Sequence, residues 1–583
     1  MFKWRTGIVA ALLVCLGCSG SNSPQAVSRA DDLPVPDDAL VVQSQGLPGG
    51  TLNYVLRRDP ASFNLVGSQD TRTQLVSSLF TATLLELDRT DQTPKPALIR
   101  DWRWSDDGLT LDLELRRGLR FADGEPIDIE DLLFSISKVL DPSSSTSLRA
   151  SLLFEGQEIE AAAVDDWTVR LSLARPDASL EYFLCNWALL PKHRFGDASQ
   201  PLETYWTLQT PLEELTGAGP FRITEFEPGR HIVLARNPHY WKVDAQGQRL
   251  PYLDGVRIEF ISEIDQQVLR LRNGELDLID QSLSPELFGQ LQQDPSVTAI
   301  NAGPSGDVVL FWFNQNLQLE PPADSPFLSS AKKRWFGDRR FREAFDLAFS
   351  RSQVAQVAFG GQAKPAASLV TNESWLAPSA KVPEQNLAAA QELLGQAGFR
   401  RQGQDGPLVD AQGVPVELEL LVLDQPTAIA TAAMLQQDLQ ALGIQIRISR
   451  QDLRAVASRV MGSRIYDVAL AIFSIPLQPS QMSNVLFTSS QMHLWHPLQT
   501  MPATEWEGRI DHLMSAQRVT RDLDKRREMV YEAQRVLGRQ KVLLPVVERD
   551  LLIGHDPRLR NIKPAKPSPA VLWNTWEIFF AQP

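Results

Sequence analysis

Cysteine is nearly absent from this chain of 583 residues: there are three, and two of them, Cys15 and Cys18, fall within the first eighteen positions. Beyond that leader only Cys185 remains, so no intrachain disulfide can form in the mature body and stability has to come from packing. Cys185 itself reads as a small buried hydrophobe. Histidine is scarce, with seven residues. No Gly-x-Ser-x-Gly elbow, His-Glu-x-x-His pair or Gly-x4-Gly-Lys phosphate cradle occurs, which removes the hydrolase and nucleotide chemistries such motifs flag. Positive charge is also in deficit, 57 Lys and Arg against 71 Asp and Glu. The formal charge of −14 becomes −16 once Lys3 and Arg5 are set aside, so nothing here attracts nucleic acid. Past the leader there is no apolar run of transmembrane length, no heptad and no repeat of 20 to 50 residues.

What is present begins with Lys3 and Arg5, an apolar run from Gly7 to Gly17, and Cys18. That is the order of a secretory signal. As a helix the run would rise about 16 Å, roughly half the hydrocarbon thickness, too short to span a bilayer. Leu12, Leu13, Val14 and Leu16 form its apolar core, and Gly17 supplies a small residue before Cys18. Residues 1–18 therefore resemble a signal with a lipobox-like end, Cys15 standing where leucine is usual. The expectation is acylation of Cys18 and an anchor in the membrane, with residues 19–46, polar, acidic and punctuated by proline, as a flexible linker. Inside a signal peptide the Cys15-x-x-Cys18 spacing carries no redox or metal meaning.

Structure is expected from Gly49-Gly50 onward, with a strand at Thr51–Leu56 and a helix running into a strand across 73–87. Trp102-Arg103-Trp104, then Ser105-Asp106-Asp107-Gly108, then leucines at 109, 111, 113 and 115 alternating with polar residues predict a β-hairpin on an Asp-Gly turn. Asp128 sits as an N-cap before Leu132, Leu133, Ile136, Val139 and Leu140, an amphipathic spacing. Asp338 does the same before Phe341, Ala344, Phe345, Ala348 and Phe349. Helical patterns at 387–398 and 428–443 each end on glycine, and apolar strands are expected at 416–423, 444–448, 164–173 and 231–236. Helices alternating with strands predict α/β domains, and a chain of this length with 43% hydrophobic residues can hold several cores.

In their order these segments resemble the bacterial extracellular solute-binding protein family 5, the dipeptide, oligopeptide and nickel class. The resemblance is carried by Pro96-Ala97-Leu98, Trp102, Ser105 to Thr110, Leu115-Arg116, Phe121-Ala122-Asp123-Gly124 and Glu130-Asp131. It continues through Gly217-Ala218-Gly219-Pro220-Phe221, Pro228-Gly229, Arg236 to Trp241 and Asn273 to Asp277, then Phe313-Asn314, Phe341 to Ala344 and Phe359-Gly360-Gly361. These motifs read as backbone geometry, not ligand contacts. The resemblance implies an α/β, two-lobed periplasmic-binding-protein fold of the class II type, with a subdomain inserted in lobe one. Lobe one would comprise 47–90, 215–305 and 537–583, the inserted subdomain 91–214, and lobe two 306–536. It further implies a monomeric, extracytoplasmic component of an ABC importer with no cofactor and no catalysis. Such a component captures a peptide or peptide-like solute and passes it to permease and ATPase subunits elsewhere. The same capture of an oligosaccharide or a metal complex is the alternative, and a lipid-anchored hydrolase a remote one.

Peptide-binding relatives treat their ligand as an added strand. The resemblance places two segments at the cleft: Arg57 to Asn64, with Arg57, Asp59, Phe63 and Asn64 as candidates, and the stretch after Asp467. There the chain departs from the peptide-binding pattern. The aspartate that pairs with a peptide's amino group is missing from Phe473 to Pro479, and no charged residue occurs from Val468 to Thr504. Two readings fit: a core strand followed by a packed loop, or a neutral pocket lined by Ser474, Gln478, Asn484, Trp495 and the nearby histidines. The second suits a capped peptide or a sugar better than a free amine. Asn314 and, among fourteen tryptophans, Trp375, Trp573 and Trp576 complete the candidates. His493 and His496, three apart with Met492 and His512 near, carry the metal alternative, because that spacing on a helix would face both imidazoles one way.

Overall fold

A computed structural model describes residues 33–582 except 69, 154–155, 196–199, 281–282, 318–327, 372–373, 404, 475–477, 491 and 567–569. The signal, Cys18 and the first part of the expected linker lie outside the described residues. Where 19–46 reads as linker, the chain from Leu40 to Val42 is a short strand paired in parallel with Lys242–Asp244. Asp38 beside it meets Arg116 at 3.2 Å. Two apolar residues at alternate positions suffice to seat this segment, and the two strands form a sheet of their own.

One eleven-stranded sheet organises the molecule. Its strands are β1 (Thr51–Leu56), β2 (Phe221–Glu227), β3 (His231–Arg236), β4 (Gly255–Phe260), β5 (Leu278–Ile279), β6 (Thr298–Phe313), β7 (Ala363–Pro365), β8 (Glu417–Leu423), β9 (Gln445–Gln451), β10 (Val468–Ser474) and β11 (Leu543–His555). They lie in the order β9-β8-β10-β6-β11-β5-β1-β4-β3-β2, with β7 on β11. β8 and β9 pair in parallel, joined by the helix Pro426–Ala441. β1 and β4 pair in parallel on the other side. Between these halves run β6 and β11, sixteen and thirteen residues long, antiparallel to each other from Thr298↔His555 to Trp312↔Leu543.

The buried apolar residues divide at these two strands. One core holds Val308 to Val547; the other holds Leu52 to Leu278 together with Ile553 to Ile578. A small third core joins Val55 and Ile261 to Leu552. Each lobe thus has its own interior. At the division β6 is irregular: its register with β11 shifts between Asn301 and Pro304 and again before Val308. Gly303 and Gly306 there have φ of +77° and +91°, and Pro304 offers no N–H to the ladder.

The inserted subdomain shares the core built on Leu52 to Leu278. Its four strands run in the order 99–104, 110–115, 168–173, 159–163. The hairpin on Asp107-Gly108 and the Asp128 cap form as expected, Asp128 with Asp131 making a full capping box. Trp102 and Trp104 both donate their indole N–H to Glu181 Oε1, at 2.9 and 2.8 Å. The strand expected over 164–173 starts only at Thr168, because Asp165 accepts the Trp167 N–H at 2.8 Å and turns the chain. In Gly217-Ala218-Gly219 an added Cβ would stand 2.2 and 2.5 Å from the backbone of Phe80, so close approach accounts for both glycines.

A second junction between the lobes is made by side chains. The helices α1 (Pro479–Leu486), α2 (Glu505–Val519) and α3 (Leu523–Gln540) belong to lobe two. From α2, Arg518 grips the subdomain's Asp177 at 2.6 and 3.0 Å and the Ser151 carbonyl at 2.6 Å. Its own carbonyl accepts the Ala178 N–H at 2.8 Å. From α3, Arg526 donates to the Ala178 carbonyl at 2.9 Å. Asp177 and Arg518 are both buried, and removing one partner of such a pair strands the other charge. Asp177→Ala is therefore expected to open the lobes. Small-angle scattering should report a larger radius of gyration for the variant, and an unchanged radius would mean that the pair does not hold the closed form.

Candidate functional site

A cavity of about 800 Å³ lies where the chain after β1, the helix Thr71–Phe80 and the C-terminal turn Leu572–Glu577 meet α1. Most of its wall is lobe one. Lobe two contributes Gln478, the residue before α1, and Asn484 on α1. Of the twelve ligand-binding candidates, the structure brings four together here: Gln478, Asn484, Trp573 and Trp576.

The other eight lie elsewhere. Arg57 is exposed and donates to the Ser262 carbonyl at 3.2 Å; Asp59 accepts the Gly229 N–H at 2.8 Å. Phe63 is fully buried edge-on against Phe226, and Asn64 ties the Leu202 carbonyl at 2.7 Å. Leu65 and Val66, just after this segment, do line the cavity. Asn314 is a buried clamp on the carbonyls of Arg464 and Tyr466 at 2.9 and 2.8 Å. Ser474 is bonded to Asp307, which also pairs with Arg549. Trp375 packs on the Val308–Val547 core, its carbonyl accepting Tyr531 Oη–H at 2.8 Å. Trp495 is completely buried in that core. Much of the uncharged stretch after β10 is thus core and packed loop, and Gln478 and Asn484 are the members that reach the cavity.

The metal alternative meets a different geometry from the one its spacing suggests. Residues 492–499 form turns, not a helix. His493 is fully buried with its ring 3.9 Å from that of Trp495 and its Nε2 4.0 Å from Glu507 Oε1. Burial raises the Glu507 carboxyl, but His493, the Thr504 hydroxyl, Gln499 and the Ala503 N–H overcome this and hold it at about 2. Glu507 closes the capping box of α2 with Thr504. Burial pushes His496 down to about 4 despite the nearby Glu507. The cluster reads as an anchor for α2.

Sequence reasoning missed the charged half of the cavity. Lys242, at the end of the Asn237-Pro238-His239-Tyr240-Trp241 motif, is buried and bonded to both oxygens of Glu86 at 2.5 and 2.7 Å. Its ammonium stands 3.7 Å from the centre of the Trp576 ring, a cation–π contact. Burial holds it below the usual lysine range against the pull of Glu86. Lys563 pairs with Glu577 on the same wall. Cys185, read as a small buried hydrophobe, is largely buried at the cavity wall, its thiol 3.4 Å from the Glu181 carbonyl. Gln92 joins the site at φ +60°, a conformation side chains avoid unless the surroundings enforce it.

A long interlobe sheet, separate cores and a cavity lined from both lobes are the parts of a capture device. The profile of bacterial extracellular solute-binding proteins, family 5 Middle, matches residues 93–493. The chain belongs to this family. Among relatives of this solute-binding protein, the glutathione-binding protein GsiB of Salmonella paratyphi A is 24% identical over 500 residues, 84% of this chain and 88% of that one. Its fold is similar to that of the oligopeptide-binding protein AppA of Bacillus subtilis in complex with a nonapeptide, with TM-score 0.71 and 19% identity over 92% of this chain and 100% of that one. It is also similar to MelB of Agrobacterium fabrum in complex with stachyose, with TM-score 0.72 and 20% identity over 94% and 88%.

The α2 anchor gives the solute-binding protein a defined acid sensitivity. His496 is depressed from 6.5 to about 4, so between those values the unfolded chain binds the proton and the folded one does not. Stability falls as pH drops through that window, by roughly 3 kcal/mol at most. Glu507, depressed from 4.5 to about 2, stabilises above pH 4.5 and loses this as pH falls further. Thermal melts from pH 7 to 3 should decline throughout, and His496→Gln should flatten the slope above pH 4 only. A variant with the parent's slope there would remove His496 as the cause.

Proposed function

We propose that this chain is the lipid-anchored, extracytoplasmic solute-binding component of an ABC importer. It encloses a peptide or peptide-like solute between its lobes and delivers it to a permease driven by separate ATPase subunits. The observation that carries the reading is the cavity whose wall is lobe one and whose cover, Gln478 and Asn484, comes from lobe two. Its volume falls in the range of small-ligand sites, and its aromatic walls suit peptide planes. Glutathione for GsiB and a nonapeptide for AppA place peptides among the ligands of similar proteins. We place the lobe boundaries where the cores divide, near Pro304 in β6 and Arg549 in β11, with 91–214 as the inserted subdomain. The chain would act as a monomer, held at the outer face of the cytoplasmic membrane through Cys18, and would catalyse nothing.

Ligand binds the open form and shifts the population to the closed one. At a hundred times Kd a peptide should raise stability by about 2.7 kcal/mol and compact the protein in small-angle scattering. Native mass spectrometry of protein purified from its own host is expected to reveal a co-purified peptide mass. A bound sugar would keep the capture role and replace the solute class, and a verified ligand that produces no compaction would end the closure mechanism.

A further inference from the structure

Two glutamines meet at the cavity from opposite lobes. Gln478 Nε2 donates to the backbone carbonyl of Gln92 at 3.0 Å. Gln92 Nε2 in turn donates to the carbonyls of Arg89 and Lys566 at 2.8 and 2.9 Å. Because each amide nitrogen faces carbonyl oxygens only, the orientation of both side chains is fixed. Both residues are more than nine-tenths buried, both line the cavity, and Oε1 of each has no partner among the described residues. A buried acceptor left unpaired costs about 1–3 kcal/mol, and here two are kept beside the left-handed backbone of Gln92. The indole N–H of Trp576, on the same wall, is also without an acceptor among the described residues.

The charged groups around them are already engaged. Glu86 is held by Lys242, Glu577 by Lys563, and Lys95 by Asp91 at 2.7 Å. Asp88 accepts the N–H groups of Thr90 and Asp91, and Arg89 is itself engaged. An ammonium brought here would find Glu86 and Glu577 neutralised by lysines and Asp88 held by backbone N–H groups, so its desolvation would be poorly compensated.

Building on the solute-capture reading, we propose that Gln92 and Gln478 form an acceptor clasp across the cleft for an uncharged hydrogen-bond donor of the solute, an amide N–H or a hydroxyl. A free amino terminus is excluded from this subsite. The clasp also couples recognition to closure, since Gln478 reaches the ligand only when its own amide is seated on Gln92.

Calorimetry with matched pairs tests this: peptides of three to six residues, each with a free and an acetylated amino end, and a neutral tetrasaccharide. The acetylated member of the preferred pair is expected to bind at least tenfold tighter than its free form. Gln478→Glu should reverse that order, and Gln478→Met, which keeps the length and removes the acceptor, should weaken the blocked ligand at least tenfold. Tighter binding of the free amine by the parent protein would overturn the clasp while leaving peptide capture intact. Binding of the tetrasaccharide alone, lost in Gln478→Met, would support the clasp and overturn the peptide reading. A ratio unmoved by Gln478→Glu would overturn the clasp whatever the solute.

Discussion

The antiparallel pairing of β6 with β11 is the constraint on which the rest of the molecule depends. These strands belong to both halves of the sheet: β6 meets β10 through Asp307–Phe313, and β11 meets β5 through Gly554 and His555. Any movement of one lobe relative to the other has to pass through their middle. There the ladder is interrupted around Pro304, with Gly303 and Gly306 in the left-handed region. A continuous ladder across both lobes would resist bending; a locally broken one keeps the halves joined while letting them rotate. Asp307, bonded to Ser474 and Arg549, pins the lobe-two side of the break, so bending concentrates in the few residues before it.

Opposite demands fall on the side-chain contacts that close the cleft. The Asp177–Arg518 pair is buried yet sits between lobes that must part, so its desolvation is repeated at each closure. The neighbouring bonds from the Ala178 N–H to the Arg518 carbonyl and from the Arg526 guanidinium to the Ala178 carbonyl offset some of that cost. The Gln478–Gln92 contact is weaker and neutral. Closure is thus held by a charged contact away from the solute and read by an uncharged one beside it.

The fold was legible where a local pattern fixes a local structure. Asp107-Gly108 turns a hairpin whatever surrounds it, and Asp128 and Asp338 each cap a helix through their own carboxylates. Val164 misled because Asp165 spends its side chain on Trp167, a choice that β propensity does not record. The site was less legible. Gln478 and Asn484 stood out through the lack of charge around them. Gln92 gave no signal, since its φ of +60° and its place opposite Gln478 arise from tertiary packing. Lys242 was hidden inside a motif read as a turn, and its burial against Glu86 and Trp576 depends on segments far from it in the chain.

That difference has a physical basis. Motifs of backbone geometry, such as Gly217-Ala218-Gly219 against Phe80, need one residue type because a single added atom would collide. A cleft for varied solutes needs no such uniqueness: any pair of residues that leaves the right donors or acceptors facing the ligand will serve. The residues that choose the solute are then those least bound to the family pattern. Where the resemblance implies an aspartate in peptide-binding relatives, this chain has an uncharged stretch whose buried member Gln478 keeps one acceptor oxygen without a partner among the described residues. A carboxylate there would attract an ammonium but would have to lose its water on every closure; a carboxamide oxygen offers a weaker bond at a much smaller desolvation cost.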